Sequence, residues 1–92
     1  MSLAYVGYKN VTQAAAATVK SGPAKFYGFI VTASSSGTVT IYDNTSATGT
    51  VLFTKASLAA GDVVHFGGVG MAANNGLHVV CGGTATVNIM YQ

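Results

Sequence analysis

His65, His78, Cys81 and Asp62 are the side chains with the most chemistry to offer. Imidazole, thiolate and carboxylate all bind zinc, and His65 and His78 fall in runs that can lie on adjacent strands. A zinc site needs three or four ligands in close array, yet the sequence has no Cys-x-x-Cys or His-x-x-x-His pair. A nucleophile triad fares no better. The serines gather in turn-like clusters, and Asp43 and Asp62 are the only side-chain carboxylates in 92 residues. General acid–base chemistry uses His or a carboxylate held beside a partner, and no spacing here marks such a pair. Cys81 reads as a small buried apolar residue of a strand, since a reactive thiol needs an activating neighbour that the sequence does not display. Gly67-Gly68-Val69-Gly70 has neither the following helix nor the lysine of a phosphate-cradling loop, so it reads as a bend. Asn10-Val11-Thr12 and Asn44-Thr45-Ser46 match the glycosylation acceptor pattern, but with no secretory leader in view they read as chance matches. The expectation is no catalytic residue, no metal, no cofactor and no enzymatic activity.

Binding chemistry is the next possibility. The nine aromatic residues include no tryptophan, and strand spacing places most of the rings in or beside a core rather than on a sugar-binding platform. Thr-x-Thr triplets at Thr38/Thr40, Thr48/Thr50 and Thr84/Thr86 are unevenly spaced, as on an ordinary exposed sheet face. Lys9, Lys20, Lys25 and Lys55 are scattered and there is no arginine. Phosphate recognition favours clustered Arg, so nucleic acid is not an expected partner, and the lysines read as edge-strand charges that discourage stray pairing. No apolar run approaches the roughly 20 residues of a membrane helix, so no membrane partner is expected either.

The elements that must position these residues are strands. Val39 and Ile41 point one way while Thr38, Thr40 and Tyr42 point the other. Ala85, Val87, Ile89 and Tyr91 share a face in the same manner. Lys25–Thr32, Thr38–Tyr42 and Thr50–Thr54 read as a meander of three strands. A reversal is expected at Gly37, and a loop at Asn44–Gly49. Ser57 and Gly61 suit the cap and stop of a short helical turn. Asn74-Asn75-Gly76 suits a type I′ hairpin between Met71–Ala73 and Leu77–Cys81. The chain thus reads as one all-β domain over residues 1–92, an antiparallel, jelly-roll-like β-sandwich of seven or eight short strands. Val39, Ile41, Val87 and Ile89 belong in its core, and residues 1–12 could serve as an N-terminal arm.

Charge content bears on assembly. Only 7% of residues are Asp, Glu, Lys or Arg, against about 25% in ordinary domains. So few charges protect a small surface poorly against association, and much of it is expected to be covered by other subunits. Tyr5 and Tyr8, on an otherwise bland terminus, are the candidate interface residues.

Four segments carry a family resemblance: Phe26-Tyr27-Gly28-Phe29-Ile30-Val31, Thr40-Ile41-Tyr42-Asp43, Leu58-Ala59-Ala60-Gly61-Asp62 and Val87-Asn88-Ile89-Met90-Tyr91. Across roughly Thr18 to Tyr91 the chain resembles the small β-sandwich virion proteins of tailed bacteriophages, especially capsid decoration (cement) proteins. That resemblance implies a structural role in the virion and symmetric self-association, with a trimer favoured. It also implies contact with the major capsid protein or another virion protein. It carries over no functional residue. A neck, tail or fibre component stays open beside it, as does a β-sandwich module recognising a host glycan or receptor.

Overall fold

Alternating side chains and β-branched runs produce two facing antiparallel sheets. The computed structural model describes residues 7–11, 16–66 and 70–92. Among the described residues there are nine strands: β1 (Gly7–Val11), β2 (Ala16–Ser21), β3 (Ala24–Ala33), β4 (Ser35–Asp43), β5 (Thr50–Ala59), β6 (Val63–His65), β7 (Met71–Ala73), β8 (Gly76–Gly82) and β9 (Thr86–Tyr91). One sheet runs β1-β9-β3-β6, with β7 also on β3; the other runs β2-β8-β4-β5. β9 takes one edge of β3, so β6 and β7 share the other edge in tandem. The nine strands therefore fill eight positions, in the order of a jelly roll.

The core is where the alternation places it. Val39, Ile41, Val87 and Ile89 are fully buried, facing Phe26, Phe29, Leu77 and Val79. All four phenylalanines of the sequence join one chain of ring contacts. Phe26 meets Phe66 at 5.3 Å, Phe66 meets Phe53 at 5.5 Å, and Phe53 meets Phe29 at 5.9 Å between centroids. Phe53 belongs to one sheet and Phe26 and Phe29 to the other, so this chain closes one side of the sandwich. Each tilted pair adds about 0.5–1.5 kcal/mol beyond area burial.

Local reading and structure part company at the connections. The meander is corrected: β3 and β4 lie in different sheets, and only β4 and β5 form a hairpin. Its loop is held as the composition implies, with Asn44 Nδ2 donating to Thr48 O at 3.1 Å and Asn44 Oδ1 accepting from Thr45 N at 2.7 Å. The reversal expected at Gly37 occurs earlier, between Ala33 and Ser35, and the residue with positive φ is Ser36, at 61°. Gly37 lies within β4, where a Cβ would come 2.6 Å from Ala85 N, so glycine serves close approach rather than the turn. Asn74-Asn75-Gly76 does not close a type I′ hairpin. β7 and β8 belong to different sheets, and Asn75 does not have positive φ. Asp43 Oδ1 accepts from Asn75 N at 2.8 Å and secures this crossing instead. The helical turn at Ser57–Gly61 is also absent: β5 continues to Ala59, and Ser57, at φ 55°, marks an irregularity in its pairing with β4. Propensity could not foresee these outcomes, because pairing partners far along the chain decide them.

Truncation of Ile41 or Ile89 to Ala is expected to cost about 2–5 kcal/mol, read from urea midpoints. Gly37→Ala should cost about 1–3 kcal/mol by overpacking against Ala85. Midpoints equal to the parent's for both isoleucine variants would remove those residues from the core.

Candidate functional site

The residues with metal-binding chemistry are dispersed. His65 lies in β6, paired with Gly28 of β3, whereas His78 lies in β8, between β2 and β4 of the other sheet. The expectation of adjacent strands is therefore corrected. The crossing between β7 and β8 places them in separate sheets. Among the described residues, no group of three or more His, Cys, Asp or Glu comes together.

His78 nonetheless sits in a defined setting. Thr18 Oγ1 donates to Thr45 O at 3.0 Å and lies 3.0 Å from His78 Nδ1. A hydroxyl has one proton and a carbonyl can only accept, so Nδ1 is the donor to Thr18. Neutral His78 accordingly carries its proton on Nδ1, and the Tyr42 ring flanks it at 6.4 Å. No carboxylate orients this imidazole. Asp43 accepts from Asn75 N, and Asp62 Oδ2 accepts from Ala59 N at 2.9 Å, so both acids fix turns.

Cys81 is buried between the sheets at 2% exposure, and burial pushes its thiol up from 9.0 to about 11. The inert apolar reading therefore has a physical basis: the thiolate is the nucleophile, and desolvation disfavours it.

The broad surfaces are more distinctive than any cluster. Across the outer face of the β2-β8-β4 sheet, Thr18, His78 and Tyr42 form one row, and Ala16, Val80 and Thr40 the next. Thr54 Oγ1 meets Thr40 Oγ1 at 3.2 Å on the adjoining strand. Neither row contains a formal charge. On the opposite sheet, Ile30 of β3 pairs with Val63 of β6, and the two are 38% and 60% exposed. A signal for this pair was present in the sequence. Phe29-Ile30-Val31 is an unbroken apolar run, and a strand that buries its first and third residues must turn the middle one outward. Lys9, Lys20 and Lys55 fall on the edge strands β1, β2 and β5, but the edge reading of Lys25 is corrected: it lies on β3, between β9 and β7.

Of the candidate interface residues, Tyr5 lies outside the described residues. Tyr8 lies in β1, its Cα paired with that of Met90 in β9. No protein-family model, curated protein or solved structure matches the chain.

Cys81 gives a pH dependence of known sign. The folded thiol titrates higher than the unfolded one, so its contribution to stability is whole below pH 9.0 and is lost as pH rises toward 11. Against a Cys81→Ala reference, the parent's urea midpoint should hold a constant offset up to pH 9.0 and then fall relative to it by pH 11. A constant offset across that window would show that the thiol titrates alike in both states.

Proposed function

We propose that this chain is a structural protein of a phage virion that decorates or cements the capsid. It would do so by symmetric self-association and by contact with the major capsid protein or a neighbouring virion protein. The sequence resemblance supplies the class. The observation that carries the physical side is the surface: two outward sheet faces poor in formal charge, one of them presenting Ile30 beside Val63.

The energetic argument is direct. A chain of this size buries a smaller share of its surface than a large one, so covering more of it by association is favourable. Charged faces would oppose close approach of identical subunits, whereas a face of Thr, Ala, Val and Ile does so weakly. Closed point symmetry is the usual result of self-association, and a trimer suits the resemblance best. A place in the neck, tail or fibre would use the same faces and differ only in the protein contacted.

Light scattering over a dilution series, with co-sedimentation on empty capsids, tests the reading. The parent should self-associate or bind capsids in a fixed ratio. Val63→Lys places a charge on the apolar pair and should weaken association tenfold or more, about 1.4 kcal/mol. Deleting residues 1–6 removes Tyr5 and leaves β1 whole, and Tyr8→Ala tests the second tyrosine. A monomeric mass at every concentration together with no capsid binding would defeat the proposal.

A further inference from the structure

Two of the four lysines of the sequence, Lys20 and Lys25, line one cavity of about 370 Å³ at an end of the sandwich. Three segments meet there: the β2–β3 crossing, the β7–β8 crossing and the end of β9. Backbone bonds tie these walls together. Gly22 N donates to Asn75 O at 3.2 Å, and Lys25 and Gln92 exchange two bonds of 2.9 Å. Ala24 and Ala73, both buried and paired across β3 and β7, keep the cavity open because larger side chains would fill it.

The polar groups of this cavity are mainly donors. Lys20 and Lys25 carry ammonium groups, which donate and cannot accept. Tyr27 donates to Gln92 Oε1 at 2.9 Å, which engages the amide oxygen and leaves the amide NH₂ as the end with donors to offer. Asn74 adds a second amide, and the lining contains no Asp or Glu. An occupant must therefore be rich in acceptor oxygens and negatively charged. The space is ample for a single sugar ring and opens to solvent on one side. The lining has no aromatic residue, so recognition rests on charge and hydroxyl contacts rather than ring stacking.

We propose that this cavity is a binding site for a carboxylate-bearing monosaccharide, a uronic-acid type of ligand. Lys20 and Lys25 would take the carboxylate, and the amides of Asn74 and Gln92 would contact ring hydroxyls. The site can be tested apart from the assembly reading, since its lining includes neither Ile30 nor Val63.

The test is a titration of the 92-residue chain with glucuronate, followed by amide chemical shifts in two-dimensional NMR. Glucose and sodium sulfate at matched ionic strength are the comparison arms. The lysines are exposed and solvated, so the dissociation constant is expected in about the millimolar range. Saturable shifts confined to residues around Lys25, Ala73, Asn74 and Gln92 are expected with glucuronate and not with glucose. They should vanish in the Lys20→Met, Lys25→Met double variant. These exposed substitutions keep the side-chain stems, and an unchanged melting temperature verifies the fold. Absence of saturable shifts with glucuronate would overturn the site. An equal response to sulfate, or persistence in the double variant, would overturn its assignment to a sugar acid.

Discussion

Phe29, Val31, Val87 and Ile89 of one sheet close on Val39, Ile41, Leu77 and Val79 of the other, and the molecule depends on that dry contact. Only the β4–β5 and β6–β7 connections stay within a sheet; every other connection carries the chain across. Neighbours in sequence are therefore seldom neighbours in hydrogen bonding. What recovers the entropy of each crossing is apolar area removed from water between the layers, at about 25 cal/mol per Å². The crossings themselves are held by small polar devices. Asp43 on the Asn75 amide, Asp62 on the Ala59 amide and Ser34 Oγ on the Gly37 amide are the clearest.

This arrangement explains why the chemistry-bearing residues form no joint site. Both carboxylates accept from backbone amides at chain reversals, the thiol lies in the dry layer, and the histidines are in different sheets. What remains outward is a lattice of threonine, alanine and valine with lysines on the edge strands. Such a surface has little electrostatic character and gains from being covered, which is the physical content of the assembly proposal. Lys25, on interior strand β3, departs from that pattern and shares a concave space with Lys20 of edge strand β2.

How much of this could be read from the residues depends on distance along the chain. Period-two alternation at Val39/Ile41 and Val87/Ile89 identified both strands and their buried faces, because the pleat alone sets that pattern. The fold class followed from the number and spacing of such runs. Partner choice was not legible. Asn74-Asn75-Gly76 has hairpin chemistry, yet its flanking strands pair elsewhere, since burying Leu77 and Val79 between β2 and β4 outweighs a local turn preference. Ser57 and Gly61 were misread for a similar reason. The ladder with β4 continues through Leu58, whose side chain is buried. The outward turn of Ile30 could be read from its neighbours, but its pairing with Val63 could not, because nothing local places β6 beside β3. The loop-end cavity was invisible for the same cause, its walls coming from three separate segments, around residues 20–25, 72–74 and 92.

The pairing of β1 with β9, in which Gly7 lies opposite Tyr91, has a consequence for how the chain comes to be folded. The five residues of β1 wait for a partner far along the chain, and β9 is also a neighbour of β3. That sheet therefore cannot close until β9 is in place between β1 and β3. Until then β3 presents an open edge and Phe26 and Phe29 lack their neighbours on β9, a state open to pairing with other copies. Long-range pairing of this kind also slows the search for the native topology, because loop closure must precede the contacts that reward it. A jelly roll ordered in this way matures as a unit rather than strand by strand.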